Sequence, residues 1–508
     1  MQHFLKGDKS MNWLDRVIGF FSPQSAYMRE AWRQQLDYIR GAGYDAADSG
    51  RLNRNWRPHN EAADYVDRGA RDVIRARARD MERNSDMFNS ILSAYKRNVV
   101  GTGFTLQAST GDEELDTQIE KLWKRWTKKQ NCDVTKQQNF NQILRMAVTR
   151  KKIDGGILFK KCYTKGGILP FKLQALEVDE LAGSVASPHT KGNRVIGGIE
   201  YNDSNRPVGY WIEQYNIDGY GLNQPVYYPA KDIIFYYTKK RPSQLREVSD
   251  MAPSLTRIRD SNEFITAVSM KERVAACFAL LIKRAVPLGG VTGRNTQNNS
   301  GDRRSYDGKM LTPGMISELN AGDEAEVVDP KSGSSDATTF LKLLQRLVCA
   351  GQGLSYEATA RDMSETNYSS ARQAMIEDDL TYAEEIEQLR DSFMDEVYET
   401  FLISAVLAGE IIISDFWIDP QKYMDHKWVS APKRWIDPQK EAGANKTALE
   451  SGVKSFKQIS AEQGRDWKEQ IDDMADVAAY AKEKGVQIGG VKDAQTTEEK
   501  SKPESPDE

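Results

Sequence analysis

The stretch GLSYEATARDMSETNYSSARQAM, residues Gly353 to Met375, separates two segments whose apolar residues recur at helical spacing. It contains Asn, Tyr, Ser, Arg and acidic residues, and it is too polar to belong to a buried core. A short apolar helix is predicted before it, and a much longer amphipathic helix after it. A polar segment between two such helices is typical of a catalytic loop, or of a loop that lines something large and passive.

Two unusually long helices are predicted. The helix after the polar stretch runs from about Ser369 to Ala408, roughly 60 Å at 1.5 Å per residue, and Gly409 is expected to end it. The other begins at Pro253 and continues to about Ala285. Neither has a wide apolar stripe, and such helices often complete their burial against copies of themselves, as in a ring. The apolar positions of the helix from Ser369 to Ala408 are Ile376, Leu380, Ala383, Ile386, Leu389, Phe393, Val397 and Phe401.

Most strand signals fall between Gly155 and Tyr237, where short β-branched or aromatic runs are broken by Gly, Asn, Asp or Pro. A strand is also predicted at Phe104 to Gln107, after VVGTG, and two short strands are predicted in Gly314 to Asp329. Helices are predicted before Gly155, from Ala63 to Lys96, from Glu113 to about Lys129 and from Asn141 to about Ile153. The pattern predicts an α+β fold with a mostly antiparallel sheet. The predicted strands lie in GGILFKKCY, FKLQALEV, RVIGGIEYN, PVGYWIEQY and DIIFYYT.

Composition limits the possible functions. The chain has 508 residues, 39% of them hydrophobic, which is enough for several structural regions with a real core. The mean hydropathy of −0.64 indicates a very polar surface, or a core that is completed between subunits. With 70 basic and 74 acidic residues, the formal net charge is −4. This balance argues against a protein that wraps DNA tightly, but not against one past which DNA slides.

No residue pattern predicts catalysis, a metal site or a cofactor. The four cysteines are scattered without a CxxC pair, and the four histidines lie far apart, so zinc and Ser-His-Asp chemistry lack support. GGVTGRNTQ lacks the Lys-Ser/Thr of a P-loop, and no helix is predicted after VVGTGF. The paired acids Asp378-Asp379 and Asp472-Asp473 are predicted to be solvated neighbours on helices. No segment is predicted to span a membrane, and Met11 to Phe21 is interpreted as a short amphipathic docking helix.

Arginines crowd the first predicted helix. Acidic residues interleave with them, so a solvated or salt-bridged face is the favoured interpretation, and contact with phosphate or with another subunit stays open. The arginines are Arg68, Arg71, Arg75, Arg77, Arg79 and Arg83, and the acids are Asp67, Asp72, Asp80 and Glu82.

Segments spread over roughly residues 11–470 resemble the lambda-type portal proteins of tailed bacteriophages. The N-terminal part, from Met11 onward, is very similar to the lambda-like members of this family. The order of the segments along the chain makes the match specific, although none is a catalytic signature. The family's loop motif, Asp followed by a polar run and Asn-Tyr-Ser-Ser-x-Arg, is intact as Asp362 and Asn367 to Arg372. The other matching segments lie at residues 75–107, 174–183, 193–212, 240–258, 311–319 and 435–469.

The resemblance implies a portal fold: an α+β chain with long stem and wing helices and a mostly antiparallel β wing domain, assembled as a ring of twelve around a DNA channel. The implied regions are an N-terminal arm with a docking helix (1–60), the wing (61–252), a first stem helix (253–284), the clip (285–338), a second stem helix (339–354), the tunnel loop (355–369), a long wing helix (370–410), crown and C-terminal helices (411–490) and a disordered tail (491–508).

The same resemblance implies the site residues and partners. In the tunnel loop, the residues expected to face double-stranded DNA are Arg361, Asp362, Met363, Ser364, Glu365, Thr366, Asn367, Tyr368 and Arg372. In the clip, the residues expected to bind terminase or an adaptor are Arg294, Arg303, Arg304, Tyr306 and Lys309. The expected partners are further copies of the chain, viral DNA, the terminase large subunit, the major capsid and scaffold proteins and a head-completion protein. The expected location is the portal vertex of the virion, after assembly in the host cytoplasm.

Two other classes of function stay open from sequence. One is a scaffold or adaptor protein that forms no ring, and the other is a phage DNA-processing enzyme. Arg361 and Arg372 flank the acidic run Asp362 to Glu365, so local salt bridges and free contact with DNA are equally compatible with their positions.

Overall fold

The computed structural model describes residues 60–216, 218, 223–277, 281–284, 323–326, 334–432 and 437–486, with a few isolated positions between 22 and 58. Internal contacts divide the chain into two units, Met1–Val66 and Asp67–Glu508. In the first unit, the hydroxyls of Ser22 and Ser25 lie 2.9 Å apart. The boundary falls within the helix Ala63–Arg68, and the second unit contains the elements from Arg71 onward.

Helices make up most of the structure. Two turns of π-helix, Lys96–Val100 and Arg390–Met394, continue α3 and join α10 to α11, respectively. In chain order the α-helices are α1 (Ala63–Arg68), α2 (Arg71–Asn84), α3 (Asp86–Tyr95), α4 (Glu113–Trp126), α5 (Lys129–Cys132), α6 (Phe140–Asp154), α7 (Leu255–Cys277), α8 (Ser334–Gly351), α9 (Tyr356–Ala360), α10 (Tyr368–Leu389), α11 (Asp395–Leu407), α12 (Pro438–Glu450), α13 (Phe456–Glu462) and α14 (Trp467–Lys484).

Within the described ranges, the strands form four antiparallel sheets. Three strands pair in the order β3-β2-β8, and four pair in the order β4-β5-β6-β7. Two-stranded pairs join β1 to β11 and β9 to β10. The strands are β1 (Thr105–Ala108), β2 (Gly156–Tyr163), β3 (Phe171–Leu176), β4 (Arg194–Ile196), β5 (Ile199–Tyr201), β6 (Pro207–Ile212), β7 (Val226–Pro229), β8 (Ile233–Tyr237), β9 (Leu281–Arg284), β10 (Asp323–Glu326) and β11 (His426–Val429).

An aromatic core holds the helices against the three-stranded sheet. The Trp126 ring stacks on Phe171 of β3 with centroids 5.4 Å apart, and Phe159 of β2 lies 4.3 Å from Phe393 in the second π-helical turn. All four side chains are buried. Contacts of this kind contribute beyond the burial of apolar area, and they fix the base of the long helix relative to the sheet. A smaller core, which includes Leu158, Leu176, Ile199, Tyr210 and Ile212, lies between the two larger sheets.

The predicted α+β class with mostly antiparallel sheets is confirmed, but several boundaries differ. RVIGGIEYN is not one strand: Gly197 and Gly198 have φ of +56° and +84°, and this turn separates β4 from β5 in a hairpin. Strand β7 and strand β11 were not predicted. The expected strand after VVGTG is β1, which begins at Thr105.

The predicted first stem helix at 253–284 is wrong at both ends. Helix α7 begins at Leu255 and is described as far as Cys277, while Leu281–Arg284 is a strand that pairs with β10. The returning helix α8 begins at Ser334, so the last residues assigned to a 285–338 clip are helical. One of the two strands predicted in Gly314 to Asp329 is β10, and the other part lies outside the described residues.

The predicted 355–369 loop and 370–410 helix also need correction. Residues Tyr356–Ala360 form the short helix α9, and α10 already begins at Tyr368. The long helix extends to Leu407 through the π-helical turn Arg390–Met394, whose Arg390 donates to the Ser430 hydroxyl at 2.8 Å. Gly409 follows it with φ of +74°, as predicted for a residue after a helix end.

The arginine-rich helix is salt-bridged, as favoured from sequence, but Arg71 and Arg75 are buried and the Arg79 side chain is only 24% exposed. Arg75 is buried near Glu247, with a nitrogen–oxygen distance of 3.6 Å. Arg79 pairs with the buried Asp154 at 2.6 Å and with Asp179 at 2.6 Å. These partners come from distant parts of the sequence, so the arginines hold α2 to α6 and to the sheet region.

Candidate functional site

The polar segment 355–369 starts from a fixed base. Gly353 has φ of +69°, a conformation that side chains other than glycine rarely adopt, and its carbonyl accepts a 2.8 Å hydrogen bond from the Thr381 hydroxyl of α10. A Cβ at this position would lie 3.1 Å from the Thr381 side chain. The chain therefore turns tightly between α8 and α9 while it stays attached to α10.

Asp378 makes the second attachment at this base. Its carboxylate accepts hydrogen bonds from the Ser355 backbone N–H at 2.7 Å and from the Ser355 hydroxyl at 2.6 Å. Asp378 is buried, and this burial raises its pKa. The prediction that Asp378 is a solvated neighbour of Asp379 is therefore wrong, because the α10 face that carries Asp378 packs on the start of α9.

Helix α9 is packed rather than free. The Thr359 hydroxyl lies 2.9 Å from the sulfur of the buried Cys349 on α8, and the Ser90 hydroxyl donates to the Thr359 carbonyl. Ser355 caps the helix by accepting from the Ala358 N–H at 3.2 Å. The first third of the predicted loop is thus a structured support, and the exposed part is limited to the residues after it.

The exposed apex is Arg361 to Thr366. Arg361 ends α9 in the left-handed conformation with φ of +55°. Asp362 then accepts from the Ser364 N–H at 3.1 Å and from the Ser364 hydroxyl at 2.5 Å, and these bonds lower its pKa. Asn367 begins α10 with a reciprocal capping box to Ser370, so the apex is held between two helix ends.

Ion pairs connect the apex to α8. The Glu365 carboxylate lies 2.8 Å from Lys342 Nζ and 3.4 Å from Arg346 Nη2. The hydrogen bond from Lys342 lowers the pKa of Glu365, and the same bond raises the pKa of Lys342. Asp362 lies 3.9 Å from Lys342 Nζ. The charges of Asp362 and Glu365 are therefore balanced by Lys342 and Arg346 of α8.

The two arginines expected at the site remain available. Within the part of the chain that the structure describes, Arg361 and Arg372 are exposed and form no ion pair with Asp362 or Glu365. The structure thus distinguishes the two interpretations left open by the sequence and favours free guanidinium groups over local salt bridges.

Only one of the two predicted sites falls within the described residues. Arg294, Arg303, Arg304, Tyr306 and Lys309 of the expected clip site lie outside the described residues, as does the side chain of Tyr368. Four residues of this site were not predicted from the sequence: Lys342, Arg346, Tyr356 and Asp378. A signal for two of them was available, because Lys342 and Arg346 are basic residues four apart on an otherwise apolar helix.

Over the described ranges, no group of three or more His, Cys, Asp or Glu side chains is arranged to hold a metal ion. The same residues include no helix long and apolar enough to cross a membrane.

Comparison with known proteins gives a consistent relationship over most of the chain. Residues 49–385 match the family model described as phage portal protein, lambda family. The chain is 25% identical over 445 residues to the probable portal protein of Halomonas phage phiHAP-1, and the match covers 82% of each protein. It is 19% identical over 469 residues to portal protein B of Escherichia phage lambda, covering 84% of this chain and 88% of that protein.

A chain in the virion of a native gene transfer agent particle has a TM-score of 0.41 and 12% identity, over 80% of this chain and 95% of that chain. The family match includes the three-stranded and four-stranded sheets, α7, α8, the apex Arg361 to Thr366 and most of α10. The chain therefore belongs to the lambda family of phage portal proteins, the head–tail connectors of tailed-phage virions.

Proposed function

We propose that twelve copies of this chain form a closed ring at one vertex of the capsid, and that double-stranded DNA passes through the ring during packaging and ejection. Membership of the portal family supports this assignment. The ring, its copy number and the contact with DNA are the parts that go beyond family membership.

The observation that carries the proposal is a set of exposed apolar side chains at helical spacing on both helices that flank the apex. Phe340, Leu343 and Leu347 lie three and four residues apart on α8, and Ile376 and Leu380 lie four apart on α10. Single exposed apolar residues are common, but two regular rows on neighbouring helices are typical of an interaction surface. A second copy of the same chain is the partner that covers these rows in a ring.

The apex has the chemistry of a surface that DNA touches weakly. It carries small hydroxyl side chains and acids whose charge is matched by Lys342 and Arg346, so it lacks a strong positive field. Base readout needs donors and acceptors held at the edges of a groove, and an apex of Ser364, Thr366 and paired charges does not provide such a set. Arg361 and Arg372 supply limited contact with phosphates.

The remaining partners follow from the family resemblance. The terminase large subunit and a head-completion or adaptor protein dock at the clip, through Arg294, Arg303, Arg304, Tyr306 and Lys309. The major capsid and scaffold proteins surround the ring at the virion vertex, after its assembly in the host cytoplasm. The energy for packaging comes from the separate terminase motor, and we expect no nucleotide hydrolysis by this chain.

The test is the mass and the shape of the purified chain. Native mass spectrometry is expected to give a cyclic oligomer, and negative-stain imaging is expected to show rings with a central bore. Rings of a neighbouring copy number after overexpression agree with the proposal. A monodisperse monomer at micromolar concentration, without rings in the images, would contradict it and favour a scaffold or adaptor protein.

A further inference from the structure

Two basic side chains of α8 meet a single carboxylate of the apex. Lys342 and Arg346 lie four residues apart, so both project from the same side of the helix. Oε1 of Glu365 accepts from Lys342 Nζ at 2.8 Å, and Oε2 lies 3.4 Å from Arg346 Nη2. Each oxygen of the carboxylate thus faces a different cation.

This arrangement is one that a phosphate group would also satisfy. A phosphodiester presents two charged oxygens at a similar separation, and Arg together with Lys is a common pair for binding such groups. The contact is open to solvent, because the Glu365 side chain is 63% exposed and the Arg346 side chain is 53% exposed. Exposed ion pairs contribute little free energy, so an external anion can replace the carboxylate at low cost.

Neighbouring contacts keep the cations and the acids aligned. The Arg346 guanidinium lies 5.5 Å from the centre of the Tyr356 ring. The Tyr356 hydroxyl donates to Asp362 at 3.4 Å, and this keeps a second carboxylate near Lys342. The four charged groups cancel, so the acidic residues of the apex remove the positive field that Lys342 and Arg346 would otherwise present.

We propose that Lys342 and Arg346 form a binding site for the phosphates of double-stranded DNA, and that Glu365, assisted by Asp362, occupies this site as an internal substitute for phosphate. The inference rests on the proposed DNA channel, and it names the residues that control whether the channel binds DNA. While Glu365 is paired with Lys342 and Arg346, DNA passes without being held. When the apex moves away from α8, two cations per subunit become available to bind the phosphates of the DNA backbone.

The experiment measures binding of purified protein to a double-stranded DNA duplex over a series of salt concentrations. Glu365→Gln removes the substitute charge and is expected to bind at least tenfold more tightly at low salt, with a steeper decrease of affinity as salt rises. Glu384→Gln is the matched control, because Glu384 is exposed on α10 and pairs with no cation among the described residues. This control changes the net charge by the same amount and is expected to leave the affinity within about twofold of wild type.

A second pair of substitutions tests the site itself. Lys342→Gln with Arg346→Gln is expected to abolish the gain in the Glu365→Gln background and to lower wild-type binding much less, because Glu365 already occupies the site in wild type. A purely structural role for the ion pairs predicts the same effect in both backgrounds, and that result would overturn the proposal. Equal affinities of Glu365→Gln and Glu384→Gln would overturn it as well.

Glu365→Asp provides a variant without a change of charge. Its shorter side chain cannot bridge both cations, so we expect an affinity between wild type and Glu365→Gln, and an affinity equal to wild type would count against the substitute role. The native mass of every variant is measured in parallel. Loss of the ring in wild type contradicts the proposed function, whereas unchanged DNA affinity in intact variant rings contradicts only the occupied phosphate site.

Discussion

Asp378 connects the long helix α10 to the start of α9 through two hydrogen bonds to Ser355. We expect Asp378→Ala to leave the Ser355 N–H unpaired in a half-buried position, at a cost of about 1–3 kcal/mol. Local opening then increases by about 5-fold to 150-fold. Hydrogen exchange of the Ser355 to Ala358 amides measures this, with Asp379→Ala as the control for loss of a neighbouring acid. Equal protection in both variants would contradict the role of Asp378.

The same carboxyl group gives a pH dependence with a defined sign. Burial raises its folded-state pKa above the ordinary value of 3.8. Its contribution to stability is therefore complete below 3.8 and is lost as the pH rises through the raised pKa. Relative to Asp378→Asn, the wild-type protection factors at Ser355 should decrease over this window and then become constant. A constant difference between wild type and Asp378→Asn across the window would exclude the linkage.

A buried charge cluster is the other residue-scale feature. Lys151 and Lys152, at the end of α6, reach Glu385 of α10 at 2.6 Å and 2.5 Å, and Asp250 lies 3.7 Å and 3.5 Å from the same two nitrogens. Burial alone would lower the pKa of Lys152, but the nearby carboxylates of Asp250 and Glu385 hold it above its ordinary value. The cluster joins three distant parts of the sequence, so periodicity along the chain gave no indication of it.

Substitution of Glu385 tests the structural value of this cluster. Glu385→Gln leaves two buried lysines with one carboxylate fewer, and loss of one partner of a buried ion pair costs about 3–5 kcal/mol. The exposed neighbour Glu384 supplies the control, since Glu384→Gln is expected to change stability by no more than about 0.5 kcal/mol. The comparison is made by thermal unfolding, in which Glu385→Gln should melt several degrees lower. Equal melting temperatures would show that the lysines find other partners.

At the scale of elements, local sequence signals predicted what local interactions determine. Asn367 begins α10 through its capping box, and Gly409 follows the end of α11, so the extent of the long helix was predictable within a few residues. The π-helical interruption at Arg390–Met394 was not predictable from the sequence. Arg390 donates hydrogen bonds to Trp428 and Ser430, which lie nearly forty residues further along the chain.

Strands β9 and β11 show the limit of sequence periodicity. β11 pairs with β1 although more than three hundred residues separate them, and no local pattern indicates such a partner. Leu281 to Arg284 continues the apolar spacing of α7 in the sequence, yet these residues pair with β10. The candidate site was only half predictable for the same reason: the apex residues are contiguous, whereas Lys342, Arg346 and Asp378 reach it through the fold.

Deletion of Met363 to Thr366 tests the apex as an element. The deletion leaves α9, the Asn367 cap and the exposed rows of α8 and α10 unchanged, so we expect the ring to assemble. We expect particles to complete packaging poorly, because the part of the chain proposed to touch DNA is absent and Glu365 no longer occupies Lys342 and Arg346. The measurement is the length of nuclease-protected DNA in particles, after native mass has confirmed the ring.

A Gly-Ser replacement of equal length is the control for this deletion, because it keeps the reach of the apex and removes its side chains. Full-length, stably retained DNA in particles with the deletion would show that the apex has no part in packaging. Loss of the ring in the deletion variant would show instead that the apex is structural.

At the scale of the whole molecule, a single copy leaves apolar surface uncovered along the helices that flank the apex. The long helix is buried over its second part, where Phe393, Val397, Tyr398 and Phe401 lie in the core. Over its first part the face that carries Asp378 is packed, whereas Ile376 and Leu380 are exposed. One helix thus belongs to the core of its own subunit at one end and, in the proposed ring, to an interface at the other. The sequence periodicity is continuous along both parts and could not distinguish burial within a subunit from burial between subunits.

Leu380→Asp tests this division. The Leu380 side chain is 65% exposed in one copy, so an aspartate there is tolerated by the isolated subunit. In a ring the same aspartate is placed in an apolar interface without a partner, which is costly enough to shift assembly towards monomers or small oligomers. The control is Leu407→Asp at the far end of the helix, where the side chain is 70% exposed and outside the two rows. We expect circular dichroism to show folded subunits in both variants, and native mass spectrometry to show rings only in the control. Intact rings of Leu380→Asp with wild-type mass would place the subunit interface elsewhere on the chain.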